Sequence, residues 1–432
     1  MEFKKIAIFV YSAYMPFYFG SFFSYFLYMF LHSSRHFFRS IVCFFLFPTF
    51  FLHFLHNFLF CVTVNSKKYK WKQVIIMQIS KSVLTDTHFS NHPKNYMLRL
   101  ICEDGFFVSL LGTGASIRQI GFPSRQMDLQ NLALSFSQES TYFSNPLYAG
   151  ATLAPTAGRI SHGSLPVGDH LYKLSRNESG IHSLHGGFEN ASFRVWELHS
   201  ASVTPSGDAQ VSFTCTLPDG LDGFPGNRHI TVTYTLTEAH QLTMDYNAIS
   251  DQDTYFNISN HSYFNLSGDF SRPATDHILQ IHADRYICNA PDFIPEETAD
   301  VTGTPFDFRH PLALSAQLQK YPGDIQIRRN QGYNHGFLLN HSSDSPDLLC
   351  TLPDGSVQIA VASDAPCMVL YSGGYIDDRQ QLINGQHTVP SCALAFEFQD
   401  YPDAPGDHGF PYHITKANTP WKRQIRYQFT IH

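Results

Sequence analysis

A period of two runs through most of this chain. Ile230, Val232, Tyr234 and Leu236 alternate with Thr231, Thr233 and Thr235; after a short polar turn, Leu242, Met244, Tyr246 and Ala248 alternate again. Successive side chains of a strand point to opposite faces, so each run has one apolar and one polar face, and the two together predict a β-hairpin. Val211, Phe213, Cys215 and Leu217 repeat the pattern, as do Val357, Ile359 and Val361, and Ile425, Tyr427, Phe429 and Ile431 close the chain. Half-apolar strands must bury one face against another layer. The expectation is an all-β fold, a large antiparallel β-sandwich. Pro218-Asp219-Gly220 and Pro353-Asp354-Gly355 read as turns between strands. Helical periodicity is weak; Pro311 to Gln319 is expected to form one short helix.

The first 76 residues do not share this pattern. Of the 39 Phe in 432 residues, 18 fall in residues 1–64. Ile6 to Leu31 and Ser40 to Asn65 are uncharged, and each is longer than the about 20 apolar residues that span a bilayer. Lys4, Lys5, Arg35, Arg39, Lys67, Lys68, Lys70 and Lys72 flank them. One expectation is a membrane hairpin with both ends cytoplasmic. The other, which the scarcity of Gly and Ala favours, is translated AT-rich upstream DNA with the true start at Met77. A cleaved signal peptide fits less well, because the apolar stretch is too long and no small-residue cleavage site follows. The charge also changes here: residues 1–76 carry eight Lys or Arg against Glu2 alone, so the chain's net −7 leaves −14 on residues 77–432. The boundary is therefore placed at 76/77, with 77–432 as one domain.

An acidic body gives no support for a nucleic-acid partner. The cysteines of the body, Cys102, Cys215, Cys288, Cys350, Cys367 and Cys392, are widely spaced, with no C-x-x-C. Reduced thiols in a cytoplasmic protein are expected rather than a disulfide framework.

With 23 His, a lone histidine means little. Three sit among glycine, asparagine and aromatic residues: His185 in Ser183-Leu184-His185-Gly186-Gly187, His261 in Asn260-His261-Ser262-Tyr263-Phe264-Asn265-Leu266, and His335 after Gly332-Tyr333-Asn334. Glu397 is an acid inside an apolar strand, Ala395-Phe396-Glu397-Phe398-Gln399. By strand parity it shares a face with Ala395 and Gln399, and that face is either solvated or a polar cleft. His182 could join His185 on a metal, but no zinc spacing occurs, and no metal is expected. No P-loop, no G-x-G-x-x-G and no G-x-S-x-G appears, so neither a nucleotide cofactor nor a common serine hydrolase is indicated. A histidine and a carboxylate amid aromatic and amide groups suit proton transfer on a neutral polar ligand.

These motifs, taken in order, resemble the aldose 1-epimerase (galactose mutarotase) family. Gly114-Ala115-Ser116-Ile117, Gly158-Arg159-Ile160, the His185-Gly186-Gly187 stretch, Asp219-Gly220 to Pro225-Gly226-Asn227, the His261 motif, Ile294-Pro295, Gly303-Thr304-Pro305-Phe306-Asp307-Phe308 and Phe396-Glu397-Phe398-Gln399 carry the resemblance across nearly all of 77–432. It implies a galactose mutarotase-type β-sandwich that interconverts α- and β-anomers of an aldose without a cofactor. It implies Glu397 as the base on the C1 hydroxyl and His261 as the acid on the ring oxygen. Arg159 and His185 are then sugar ligands, with Asn334, Tyr371 and Gln399 also lining the site. The quaternary state expected is a monomer or homodimer.

Three positions depart from the family's pattern. Gly158 stands where Asn is usual, Asn334 where a sugar-binding Asp is usual, and Tyr371-Ser372-Gly373-Gly374 where Y-T-G-N is usual. All three are expected to touch the sugar site. The alternatives are a non-catalytic carbohydrate-binding protein and a sugar-phosphate epimerase on the same fold. The latter needs basic groups at the sugar's distal end, for which Arg328, Arg329 and Arg379 are the candidates. A hydrolase or lyase is disfavoured for want of a second placed carboxylate.

Overall fold

A computed structural model describes residues 77–84, 95–124 and 129–432. The two readings of residues 1–76 lie outside them. Among the described residues no helix is long and apolar enough to cross a membrane.

The alternating segments form three main antiparallel sheets. Five strands from Gln78–Val83 to Gln130–Asn131 form one meander in chain order. The predicted hairpin supplies the third and fourth strands of a nine-stranded sheet: Arg228–Leu236 pairs with Gln241–Ser250, Thr233 opposite Asp245. Ala209–Leu217 lies on its outer side. The closing strand, Trp421–Ile431, is inserted beside Gln241–Ser250, so the chain's end is an interior strand of this sheet. The six-stranded third sheet has the order Tyr263–Phe264, Leu394–Gln399, Cys367–Tyr371, Asn334–Leu339, Ala283–Asn289, Pro295–Asp300.

One apolar core is shared by all three. It contains Leu98, Leu110 and Ile117 of the first sheet, Phe213, Val232 and Tyr246 of the second, and Phe337, Met368, Leu370, Phe396 and Phe398 of the third. Phe264 stacks on Phe396 at 5.9 Å and meets Tyr427 of the nine-stranded sheet at 5.4 Å. Each such side chain, fully buried, contributes roughly 1.5–3 kcal/mol. A smaller cluster of Ile160, Leu165, Val167, Leu174, Phe224 and Tyr255 seats the loops that follow Arg159.

The helix expectation needs a correction. Leu312–Ala313 pair with Ile278–Leu279 as strand, so their backbone groups are already used. The helix runs Leu314–Lys320 instead. A second, Ile325–Asn330, was not anticipated; Asp324 caps it by accepting from the N–H groups of Gln326 and Ile327.

Candidate active site

The outer face of the six-stranded sheet builds the floor of the site. Its register aligns Asn334 with Tyr371, and Tyr371 with Ala395; one row on, Gly336 aligns with Val369, and Val369 with Glu397. Phe396 and Phe398 point the other way, into the core. Parity along one strand thus presents Glu397 and Gln399 to a cleft. Of the two readings open for this face, the polar cleft holds.

The walls come from loops fastened by short pairings. Arg159–Ile160 and Ser183–Leu184 pair antiparallel, which sets Arg159 beside His185. His185 takes φ 50°, a left-handed conformation that a non-glycine residue holds only when its surroundings enforce it. Here two hydrogen bonds do so: His185 N–H donates to Gly158 O at 2.9 Å, and Gly158 N–H donates to His185 Nδ1 at 3.1 Å. His261 is pinned through its backbone, its N–H donating to Ala151 O and its carbonyl accepting from Gly150 N–H, both at 2.9 Å. Asn260, beside it, donates to Gly150 O at 2.9 Å and is a buried clamp on that backbone.

These parts enclose a cavity of about 390 Å³, within the about 300–1,000 Å³ usual for small-molecule sites. All seven residues singled out from the sequence line it: Arg159, His185, His261, Asn334, Tyr371, Glu397 and Gln399. His261 Nε2 stands 3.4 Å from Glu397 Oε1, with both side chains 6% exposed. Among the described residues, Glu397 Oε2 and His261 Nδ1 have no hydrogen-bond partner, an arrangement that ordinary buried polar groups avoid.

Burial raises the Glu397 carboxyl above the ordinary carboxylate range, and the charges of His261 and Arg159 pull part of that shift back. His185 is held well below its usual range, chiefly by burial, then by His261 and Arg159. It is therefore neutral. Since its Nδ1 accepts from Gly158, its proton is on Nε2, and the ring offers an N–H donor to a ligand. Burial pushes the Tyr148 and Tyr371 phenols up to about 12, so both stay protonated and can donate.

The same tautomer bears on metals. His185, His261 and Glu397 bring one ligand atom each within 4.8 Å of one another. A metal at His185 Nε2 would need a lone pair there and a proton on Nδ1, which would then face the Gly158 N–H. The donor set fits a polar organic ligand better. His182 does not join His185; it accepts from His162 N–H and lies 3.4 Å from Asp292.

Several lining residues carried no signal in the sequence. Glu178 binds Arg159 from a loop, Phe293 lies under its guanidinium at 4.8 Å, and Tyr148 sits 4.7 Å from the His185 ring. Asn289 fixes the Asn334 backbone, donating to its carbonyl at 2.8 Å. His335, in contrast, is a core residue: its Nδ1 accepts from Asn334 N–H and its Nε2 meets Gln326 Oε1.

The family departures also sort themselves. Gly158 and Asn334 line the cavity, but Ser372, Gly373 and Gly374 do not. A side chain at Gly374 would meet the Gln331 carbonyl at 2.2 Å, so packing dictates that glycine, and the expectation that all three changes touch the site is corrected. Gly158 has φ 70°, a region that Gly and Asn both tolerate, so an Asn-for-Gly exchange leaves the backbone unchanged. Neither Arg328, Arg329 nor Arg379 lines the cavity. Arg329 donates to Asn289 O, and the exposed Arg379 pairs with Asp377.

Comparison with known proteins bears on this geometry. Residues 96–428 match the family model described as aldose 1-epimerase. Galactose mutarotase of Mus musculus is 30% identical over 331 residues, covering 76% of this chain and 92% of the mouse protein. Aldose 1-epimerase of Haemophilus influenzae is 31% identical over 311 residues, 72% of this chain and 87% of that protein. Among solved structures, galactose 1-epimerase from Lactobacillus acidophilus superposes with a TM-score of 0.72 at 27% identity, over 82% of this chain and 99% of its own.

Proposed function

This chain belongs to the aldose 1-epimerase family, an isomerase that interconverts the α- and β-anomers of an aldose, and on that premise we propose that Glu397 and His261 are its base and acid. The observation that carries the assignment is their separation of 3.4 Å. The two oxygens that exchange protons in anomer interconversion share one carbon, so acid and base must be neighbours.

Glu397 takes the proton from the C1 hydroxyl while His261 gives one to the ring oxygen. The bond between C1 and the ring oxygen breaks, and an open-chain aldehyde forms. Rotation about C1–C2 presents the other face of the carbonyl. The ring hydroxyl then attacks, returning its proton to His261, while Glu397 protonates the carbonyl oxygen. Every proton is returned, and the reaction needs no redox partner. A carboxyl whose pKa lies above the ordinary range serves the first half better, because it is a readier base, and it still returns that proton in the second half. His185 Nε2–H, Arg159, Asn334, Gln399 and Tyr371 are the sugar's hydrogen-bond partners in this reading.

Among the described residues, Arg159 is the sole Lys or Arg of the cavity lining, and Glu178 neutralises it. That supports a neutral aldose over a sugar phosphate. Residues 77–432 are the unit of activity in this reading, since the family match, residues 96–428, lies within them, and their free cysteines fit the cytoplasm. The test is polarimetry on freshly dissolved α-glucose and α-galactose. Anomer exchange faster than in buffer is expected; an uncatalysed rate for both, with binding retained, would leave a non-catalytic sugar-binding protein.

A further inference from the structure

We infer that Cys102, Asp104 and His240 form a site for a borderline divalent cation, zinc foremost, which ties the five-stranded sheet to the nine-stranded one. Two reverse turns meet there. One, Cys102 to Phe106, joins Tyr96–Ile101 to Phe107–Leu111; the other, Thr237 to His240, joins Arg228–Leu236 to Gln241–Ser250. One ligand atom from each of the three side chains lies within 4.8 Å of the others. None of the three lines the sugar cavity.

Each ligand is already aimed. Asp104 Oδ1 accepts from Phe106 N–H at 3.0 Å, which directs Oδ2 toward His240 Nε2, 2.8 Å away. The His240 ring stacks on Phe106 with centroids 4.4 Å apart and planes 20° apart, so its edge is fixed in direction. Cys102 is a free thiol, 4% exposed, whose one hydrogen bond is a long one of 3.5 Å to Thr237 O. Glu238 adds a second carboxylate, bridging the turns by accepting from Glu103 N–H at 2.9 Å. The carboxylates of Asp104 and Glu238 give the site a negative field, which attracts a cation.

The donor types select the ion. Thiolate, imidazole and carboxylate together suit zinc, which takes sulfur at about 2.3 Å and nitrogen or oxygen at about 2.0–2.2 Å in a tetrahedron. Binding exchanges the Cys102 S–H bond for S–Zn, and the proton leaves to water. The neutral His240 ring carries its proton on Nδ1 and gives its Nε2 lone pair to the ion, which replaces the Asp104–His240 hydrogen bond. A water completes four-coordination. The ion's role there is structural, a clasp between two turns of different sheets.

The test uses the full chain, freed of metal with a chelator and titrated with cobalt(II). A sulfur-to-cobalt charge-transfer band should grow to one equivalent and be displaced by zinc. Cys102→Ser should abolish it, and His240→Gln should weaken cobalt binding at least tenfold. Zinc should also raise the melting temperature of the parent protein but not of Cys102→Ser. Unchanged mutarotation of glucose by both variants reports that they fold. Absence of the band in the parent protein, or its persistence in Cys102→Ser, overturns the site. If Cys102→Ser does not fold, His240→Gln decides, and undiminished cobalt affinity in that variant overturns it equally.

Discussion

Glu178 grips Arg159 with two hydrogen bonds, Nε to Oε2 at 2.7 Å and NH2 to Oε1 at 2.6 Å, at the wall of the sugar cavity. The pair is 18% and 21% exposed, so solvent screens it only in part. A fork-to-fork contact of this kind fixes both the position and the net charge of the guanidinium.

Glu178→Gln should therefore act on binding before it acts on chemistry. One charge-assisted contact is worth about 1.5–3 kcal/mol, and losing part of that should raise KM for a neutral aldose roughly tenfold. kcat should change less, because in the proposed mechanism Arg159 holds the sugar and does not exchange protons. The freed guanidinium should also let a 6-phosphorylated aldose compete better. Steady-state kcat and KM for glucose and its 6-phosphate check this. A fall in kcat with unchanged KM would place Glu178 in the chemistry instead.

Glu397→Gln should cut turnover by about 10²–10⁴-fold with little loss of sugar binding, since the amide keeps the shape and cannot accept the C1 proton. The parent enzyme's pH profile carries a second check. Burial raises the Glu397 pKa, and in the proposed mechanism its reactive form is the carboxylate. Activity should be lost as pH falls through a value above the about 4.3 of a free glutamate. Initial rates of optical rotation across pH give that limb; a limb at the free value would mean that Glu397 is hydrated in the working enzyme.

His335 should make the fold acid-sensitive. Burial lowers its pKa to about 3, against about 6.5 in the unfolded chain. Between those values the unfolded state binds the proton and the folded state does not. The stability His335 contributes is thus complete above about pH 6.5 and falls by about 1.4 kcal/mol per unit as pH drops toward 3. His335→Gln should remove that slope at some cost at pH 7. Urea unfolding of both proteins at pH 7 and pH 5 measures it; equal losses in the two would assign the sensitivity to another group.

The sequence carried the sheets well because alternation is local. Ile230 to Leu236 and Leu242 to Ala248 each show their buried face without a partner. The same parity placed Glu397 opposite Phe396 and Phe398, but whether that face was solvated or a cleft depended on the loops packed over it. Sheet order is not local: Thr243 pairs with Arg426, and nothing in either strand names the other. Arg159–Ile160 and Ser183–Leu184 are two-residue strands, too short to show a period. Glu178 was invisible for a related reason, since an acid in an irregular loop has no parity, and only its meeting with Arg159 gives it a role. The helix Ile325–Asn330 could have been found from Asp324 as its cap and Arg328 and Arg329 in its last turn.

Asn334 is the departure that should tune the preferred sugar. It lines the cavity, and Asn289 holds its backbone carbonyl at 2.8 Å, so its side chain is free to meet the ligand. An aspartate there would make a charge-assisted bond to a sugar hydroxyl, roughly twice as strong as the neutral one. The net difference is about 1 kcal/mol, or about five- to tenfold in affinity. Asparagine, however, both donates and accepts, which a carboxylate cannot. Asn334→Asp should raise kcat/KM on galactose or glucose while leaving the dependence on Glu397 intact. The register argues that the exchange is tolerated structurally, because Asn334 begins its strand beside Tyr371 and is only half-buried. Measurement of kcat/KM for both sugars in both proteins decides. An aspartate variant that loses activity on every aldose would mean that the amide's N–H groups donate to the natural ligand, and a plain galactose or glucose preference would fall with it.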